Sequence, residues 1–192
     1  MNVDYYDEHA EQFFQNTYQV NMQPVYARFL AHLPSNAYIL DLGCGSGRDT
    51  LAFKQLGYQV DAMDLSIELV KRARALTHVD VQQRSFYHLN ALNKYDGVWA
   101  CASLLHCERQ RLAEVLHRIY TALKPQGVCY MSFKYGTQDR KQQGRTFTDL
   151  NEVQLNEIMQ PLKGVIVLQQ WISNDQRPDR EEQWLNVVWQ KQ

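Results

Sequence analysis

The sequence YILDLGCGSGRDT, residues 38–50, decides the fold. A short apolar run ends in aspartate and leucine, and three glycines follow at once: Gly43, Gly45 and Gly47. Glycine has no Cβ atom, so this turn can adopt positive φ angles and let a ligand approach the backbone. The residues that follow have the pattern of a helix closed by Gly57. The stretch therefore predicts a buried strand, a ligand-binding turn and a helix.

The same alternation of strand and helix continues along the chain. Further strands are predicted at residues 58–64, 78–83, 95–103 and 127–134, with helices at 66–76, 108–123 and 149–160. The polar residues 135–146 are predicted to form a loop. Two last strands, 164–173 and 182–190, follow one another without a helix between them, so we expect them to pair antiparallel. This order predicts an α/β fold: a doubly wound, mainly parallel sheet with helices on both faces.

The chain before the first strand is predicted to be helical from about residue 5 to 32, with a break near residues 21–24. The 192 residues, of which 45% are hydrophobic, suffice for one α/β domain with a sizeable core and leave little room for a second. We therefore expect a single domain over residues 1–192, in which residues 1–34 form a helical cap on a core of residues 35–192.

Charge, cysteine content and the N-terminus restrict the class of function. The 20 basic and 21 acidic side chains give no positive field that would gather nucleic acid or an anionic membrane, so neither is an expected partner. The four cysteines form no CxxC pair and have no histidine at metal spacing, so we expect free thiols and no metal site. The N-terminus has acids where a signal peptide needs positive charge, and no apolar run reaches the roughly 20 residues of a membrane span. We expect a cytoplasmic protein.

Two classes of ligand use a glycine turn of this kind. A nicotinamide or flavin dinucleotide requires the spacing GxGxxG, in which the third glycine lets the helix pack on the sheet. Here the spacing is GxGxG, and Arg48 occupies the third-glycine position. A nicotinamide-dependent oxidoreductase is therefore the weaker alternative.

The motif DLGCGSG resembles instead the first motif of class I S-adenosylmethionine-dependent methyltransferases. The resemblance runs from about residue 5 to the C-terminus. It implies a Rossmann-like methyltransferase fold with a seven-stranded mixed sheet, whose antiparallel last strand inserts beside the fifth. It also implies S-adenosylmethionine as cofactor and S-adenosylhomocysteine as product. The cofactor-binding residues that it implies in this turn are Asp41, Gly43, Cys44, Gly45 and Gly47.

The second and third motifs extend the resemblance. Asp64 ends the second predicted strand, where family members place a carboxylate that accepts hydrogen bonds from both ribose hydroxyls; capping of the next helix is the alternative. The residues implied around the adenine are Leu65, Ser66, Ser85 and Phe86. Family members often have an acidic residue where Ser85 and Phe86 stand, so this part of the pattern departs from the family.

The fourth strand and the N-terminus complete the implied cofactor site. In YDGVWACASLLH, residues 95–106, the segment from Cys101 to His106 would emerge beside the reactive methyl group. The N-terminal YYDEHAEQFF is similar to the capping helix of small-molecule members, in which Tyr6, Ala10 and Phe14 would close over the cofactor. The apolar stripe of an ordinary amphipathic helix explains the same spacing equally well.

The methyl acceptor is expected to be a small molecule. Enzymes that methylate base amino groups usually have [N/D]-P-P-[Y/F] after the fourth strand, whereas this chain has CASL. Methylation at cytosine C5 needs an activated cysteine, and neither Cys101 nor Cys107 has an adjacent proline or an obvious activating cation. The chain resembles the branch that contains tellurite-resistance, thiopurine-like and ubiquinone-pathway methyltransferases.

Three residues are candidates for the acceptor side of the site. His106 is the expected general base, because an imidazole titrates near neutral pH; a merely polar histidine at a helix start is the alternative. Arg145 and Arg177 follow the fifth and sixth predicted strands and could bind an anionic acceptor, with solvated surface charge as the alternative. A non-catalytic S-adenosylmethionine-binding protein is a further alternative, and the sequence does not predict the oligomeric state.

Overall fold

The computed structural model describes residues 3–177 and 180–192. The strands are β1 (Tyr38–Leu42), β2 (Gln59–Asp64), β3 (Gln82–Gln83), β4 (Tyr95–Ala100), β5 (Leu123–Lys134), β6 (Asp139–Gln142), β7 (Arg145–Thr148), β8 (Val165–Asn174) and β9 (Gln183–Lys191). The α-helices are α1 (Val3–Glu8), α2 (Ala10–Thr17), α3 (Gln23–Leu30), α4 (Arg48–Gln55), α5 (Ile67–Thr77), α6 (Leu112–Ala122) and α7 (Glu152–Met159). Single turns of 3-10 helix lie at Phe86–His88, Leu104–His106 and Arg109–Arg111.

Seven strands form one mixed sheet in the order β3-β2-β1-β4-β5-β9-β8. The pairs from β3 to β5 are parallel, whereas β9 lies antiparallel to both β5 and β8. The last strand of the chain is therefore inserted beside the fifth. This topology confirms the predicted doubly wound α/β fold with an antiparallel last strand.

The sheet buries apolar side chains on both faces. Along β4, Val98 and Ala100 belong to one core, which also contains side chains of α6 and α7, and Trp99 belongs to the opposite core with Phe29 and Phe53. This alternation follows from the two-residue period of a strand. Among the described helices, none is both long enough and apolar enough to cross a membrane.

The segment after β5 is the largest departure from the predicted elements. Residues 135–146 were expected to form a loop, but β6 and β7 form an antiparallel hairpin. Its two turn residues, Gln143 and Gly144, have φ angles of 50° and 75°, as a two-residue hairpin turn requires. The prediction of a loop was wrong because β6 is polar along its whole length.

Other boundaries differ by a few residues. Strand β3 has two residues and β4 ends at Ala100, so both are shorter than predicted, whereas β5 begins four residues earlier than predicted. Helix α7 begins at Glu152 because the side chain of Asn151 caps it. The predicted turn at residues 174–181 lies partly outside the described residues.

Candidate active site

A cavity of about 100 Å³ lies at the carboxyl ends of β1, β2 and β4. Parallel strands direct the turns that follow them to one edge of the sheet, which is where doubly wound proteins bind ligands. The lining includes these residues singled out from the sequence: Tyr6, Gly43, Gly45, Asp64, Leu65, Ser66, Ser85, Phe86 and His106. It also includes seven residues that the sequence analysis did not name singly, the last two of which lie in the predicted segment 101–106: Val3, Phe13, Leu42, Leu69, Arg84, Ala102 and Ser103.

The first two glycines of the turn lie against the cavity, and the third does not. Gly43 donates its N–H to the carbonyl of Met63 at 2.8 Å, and a Cβ atom built on Gly43 would stand 2.4 Å from the Cβ of Ser103. Gly47 instead precedes α4, where a Cβ would stand 3.0 Å from the Cα of Ala73 in α5. Gly47 therefore serves the packing of α4 against α5, and its predicted contact with the cofactor stays a prediction.

Gly43→Ala is expected to destabilise the fold more than Gly57→Ala. Both glycines have a positive φ, 82° and 91°, so alanine meets similar backbone strain at each position. Only at Gly43 does the new methyl group also clash with Ser103, since nothing lies within 4 Å of the corresponding point at Gly57. Urea unfolding should show an additional loss of about 1–3 kcal/mol for Gly43→Ala. Equal losses would contradict the close approach of the turn to Ser103.

Asp64 holds the glycine turn and the start of α5 together. Its Oδ2 accepts the N–H of Gly45 and its Oδ1 accepts the N–H of Ser66, both at 2.9 Å. Ser66 in turn caps α5, because its Oγ accepts the N–H of Leu69 at 3.2 Å. Burial raises the pKa of Asp64, and the hydrogen bonds from the backbone oppose that shift. Asp64 thus helps to fix the first residues of α5, and its carboxylate also faces the cavity.

His106 has a defined tautomer. Its Nδ1 lies 2.9 Å from the carbonyl oxygen of Thr146 in the β6–β7 hairpin. A carbonyl only accepts hydrogen bonds, so Nδ1 carries the proton, and Nε2 accepts the hydroxyl of Tyr6 at 2.7 Å. Burial lowers the pKa of His106 to about 4. The imidazole is therefore neutral near pH 7, with the lone pair of Nε2 directed at Tyr6.

Ser103 is the most informative of the lining residues that the sequence analysis did not name singly. Its buried Oγ has no hydrogen-bond partner within residues 3–177 and 180–192, although it lines the cavity. Buried hydroxyls are normally hydrogen-bonded, so an unsatisfied one in a cavity indicates a place for a ligand or water. The sequence signal for it was its position just beyond β4, two residues after Cys101.

Three expected cofactor contacts have side chains that point away from the cavity. Asp41 is buried and accepts the hydroxyl of Thr50 at 2.6 Å; burial and the nearby carboxylate of Asp49 raise its pKa to about 8. Cys44 packs in an apolar cluster with residues of β2 and α5. Cys101 packs on the face of the sheet that carries Trp99, and burial raises its pKa to about 12. Their side chains face the core, Ala102 and Ser103 line the cavity beyond Cys101, and cofactor contact at these three positions stays a prediction that would rest on their backbone atoms.

Position 13, not position 14, supplies the aromatic ring over the turn. Phe13 lines the cavity, and its Cε1 would be 3.1 Å from a Cβ on Gly45. Phe14 stacks on Tyr18 with ring centroids 4.9 Å apart. Tyr6 lines the cavity as expected; burial raises its pKa, and a hydrogen bond from Arg145 opposes that shift.

The two candidate arginines have different surroundings. Arg145 lies beside the cavity, with its guanidinium 4.2 Å from the ring centroid of Tyr5 and 6.0 Å from that of Tyr6. Arg177 makes a two-point ion pair with Asp175 in its own turn, with contacts of 2.9 and 2.6 Å. The described lining does not include Arg177, and a carboxylate two residues away holds its side chain in the turn, so its place in the acceptor site stays a prediction.

Beneath the turn, Asp49 is the centre of a buried polar cluster. Arg48 contacts both of its carboxylate oxygens, at 2.6 and 2.9 Å, and Tyr26 and Trp99 donate to them at 2.5 and 2.8 Å. Burial alone would raise the pKa of Asp49, but Arg48 and these donors lower it overall. Arg48, which stands where a dinucleotide motif has its third glycine, therefore anchors α4 under the sheet.

These features define the class of protein: an α/β protein of the Rossmann-like methyltransferase type, with a glycine turn after β1 and a carboxylate after β2 at one cavity. Residues 39–127 match the family model of the methyltransferase domain. This match covers a little under half of the chain, which is thus similar to methyltransferases over that region.

Two sequence relatives are named as methyltransferases. A ubiquinone biosynthesis O-methyltransferase of Xanthomonas campestris pv. campestris (strain B100) is 36% identical over 103 residues, which cover 50% of this chain and 42% of that protein. The probable S-adenosyl-L-methionine-dependent methyltransferase TehB of Haemophilus influenzae (strain 10810) is 27% identical over 114 residues, or 55% of this chain and 39% of TehB. The matches thus cover less than half of either relative.

A solved structure matches almost the whole chain. It is the 1,6-didemethyltoxoflavin-N1-methyltransferase of Burkholderia thailandensis, with bound 1,6-didemethyltoxoflavin and S-adenosylhomocysteine. The TM-score is 0.79 and the identity 24%, with coverage of 98% of this chain and 84% of that chain. At this identity the similarity shows the fold alone.

Proposed function

We propose that this protein binds S-adenosylmethionine in the candidate site and transfers its methyl group to a small acceptor, releasing S-adenosylhomocysteine. The observation that carries the proposal is the Asp64 carboxylate, which faces the cavity while the N–H groups of Gly45 and Ser66 hold its two oxygens. A carboxylate has about four lone-pair sites, so acceptor capacity is left for a ligand with two neighbouring hydroxyl groups. A ribose supplies such a pair.

The rest of the lining fits the other parts of this cofactor. At Gly43 and Gly45 the absence of a Cβ atom allows a ligand close to the backbone. The unsatisfied Oγ of Ser103 offers a hydrogen bond to a polar group, and Leu65 and Phe86 offer apolar surface to a nucleobase. When bound, S-adenosylmethionine would supply an electrophilic methyl group on its sulfonium.

Cofactor entry requires the α1–α2 segment to move outward. Pockets for small ligands usually hold roughly 300–1,000 Å³, whereas this cavity holds about 100 Å³ beneath Tyr6 and Phe13. The polar contacts that hold the segment include Tyr6 to His106, the hydroxyl of Ser66, which donates to Asp7 at 2.5 Å, and the ion pair of Arg72 with Glu11. These contacts are exposed or half-buried, which is compatible with local opening.

We propose His106 as the general base for the acceptor. The hydroxyl of Tyr6 donates to Nε2, so a hydroxyl or amine of an acceptor brought to that position could donate there instead. As the acceptor atom attacks the methyl carbon, its proton would pass to Nε2. The low pKa keeps this nitrogen unprotonated at neutral pH, and the Thr146 carbonyl keeps Nδ1 protonated.

Arg145 is proposed to contact the acceptor. Two other cations surround Phe147, but each pairs with a carboxylate: Lys134 with Glu182, and Arg140 with Asp149. Within the described part of the chain, Arg145 has no carboxylate partner, and its buried Nε has no hydrogen-bond partner. An anionic group on the acceptor would satisfy this guanidinium.

Titration calorimetry with S-adenosylmethionine, S-adenosylhomocysteine and NAD tests the proposal. We expect the first two to bind, and Asp64→Ala to weaken their binding by about 2–4 kcal/mol, because two charge-assisted hydrogen bonds are lost. Asp61→Asn is the matched control, since Asp61 lies on the same strand but outside the described lining, paired with Lys94. Its cofactor affinity should equal that of the unmodified protein. Binding of NAD alone would contradict the proposal, as would an unchanged affinity in Asp64→Ala.

A further inference from the structure

Strand β8 forms one edge of the sheet and carries an unusual amount of exposed apolar surface. Seven large hydrophobic side chains are exposed in the described residues, and three of them lie on β8: Ile166 (47%), Val167 (42%) and Ile172 (41%). On the side of β8 away from β9, the described sheet provides no strand to pair with its backbone groups. An edge of this kind is a template for pairing with another strand.

The sequence features that usually prevent such pairing are nearly absent from β8. The strand is ten residues long, reads VIVLQQWISN, and contains no charged residue and no proline. Natural edge strands are commonly short or carry lysine, proline or an inward-pointing charge. Strand β8 has one irregularity, a bulge between Val167 and Gln169, which leaves the flanking segments regular.

We propose that β8 pairs antiparallel with β8 of a second copy of this chain, so that two seven-stranded sheets join across a twofold axis. A register centred on Gln170 places Val167 opposite Ile172 of the second copy, and the bulge sets Leu168 and Gln169 together opposite Trp171. Val167 and Ile172 pair with Trp189 and Leu185 of β9, which lie four residues apart and so on one face. Leu168 and Trp171 both pack against the other core. Apolar side chains therefore meet apolar side chains on both faces.

The neutrality of β8 and its self-complementary pattern favour a second copy as the occupant. A twofold axis brings the same strand to itself, and the side chains of β8 itself bring no like charges together; the nearest cation is Arg28 of α3, which stacks on Trp171 on one face of the strand. Ten residues span about 33 Å, and a sheet with its side chains is about 10 Å thick, so the contact covers roughly 330 Å² per copy. A standard interface buries about 800 Å² per partner. We therefore expect a weak dimer, with a dissociation constant in the micromolar range.

Sedimentation velocity over a range from about 1 µM to 1 mM tests the pairing. The unmodified chain should shift from monomer to dimer within that range. The double variant Val167→Lys with Ile172→Lys sets lysine opposite lysine twice and should raise the dissociation constant roughly tenfold or more. Val153→Lys, which changes an exposed valine of α7, should leave it unchanged. Circular dichroism should confirm that all variants are folded.

A charge-reversal variant tests the register itself. In Val167→Lys with Ile172→Glu, each lysine meets a glutamate of the second copy, so dimerisation should return toward that of the unmodified chain. A monomer at every concentration would overturn the proposal, as would a dimer unaffected by the double lysine variant. Dimerisation abolished by both double variants would overturn this register. None of these outcomes depends on cofactor binding or methyl transfer.

Discussion

Replacing Asp49 with alanine is expected to lower the free energy of unfolding by about 3–5 kcal/mol. The change removes the carboxylate that neutralises Arg48, whose side chain is only 19% exposed, and it deprives the hydroxyl of Tyr26 and the indole N–H of Trp99 of their acceptor. A buried cation left without its partner costs far more than an exposed ion pair gains. Chemical denaturation followed by circular dichroism measures the loss.

Two further variants separate this effect from a general loss of negative charge. Glu114→Ala removes a carboxylate that pairs with Arg111 and Arg118 on the surface of α6 and its leading turn, and it should change stability little. Asp49→Asn keeps an acceptor oxygen in place, so its loss of stability should lie between those of Asp49→Ala and Glu114→Ala. If Asp49→Ala were no more destabilising than Glu114→Ala, the buried cluster would not be a main support of α4.

The second large effect is expected on catalysis. On a hydroxyl or amine acceptor, His106→Ala should lower kcat by about 10²–10⁴-fold, the usual contribution of a general base. Its affinity for S-adenosylmethionine should change little, because the proposed cofactor contacts lie on Asp64, the glycine turn and Ser103. His117→Ala is the matched control, since His117 lies on α6 outside the cavity.

The pH dependence gives this test a second readout. The active form of the base is the neutral imidazole, and burial lowers the pKa of His106 to about 4. The contribution of this residue to kcat should therefore be constant from about pH 6 to 8 and should fall as the pH drops below about 5. A fall centred near the ordinary histidine pKa of about 6.5 would contradict the buried, neutral histidine. So would a His106→Ala variant that keeps its kcat within twofold on such an acceptor.

The place of the cavity in the fold could be predicted because its signals are local. The glycine turn and Asp64 each stand at the end of an apolar strand, and parallel strands bring these ends together. The direction in which a side chain of the turn points, by contrast, depends on more than the neighbouring sequence. Cys44 lies between two glycines that approach the cavity, yet its thiol packs against α5, because the turn rotates it inward. The spacing of residues along the sequence does not indicate that rotation.

The local structure around the cavity was predicted less well, for three physical reasons. A polar hairpin has no hydrophobic alternation, so only the Gln143–Gly144 turn marked it. Arg177 and Asp175 are both polar residues of a turn, and only the structure shows that they pair. The choice between Phe13 and Phe14 depends on the rotation of a short helix, which a shift of one residue changes by about 100°.

The link between the β6–β7 hairpin and His106 makes the acceptor side evolvable. The group that fixes the protonated nitrogen is a main-chain carbonyl, that of Thr146, and every amino acid provides the same carbonyl. Side chains on the hairpin can therefore be exchanged while the strand pairing, and with it the state of the imidazole, is preserved. Descendants of this fold could acquire new acceptors by substitutions in eight residues of strand, without rebuilding the base or the cofactor site.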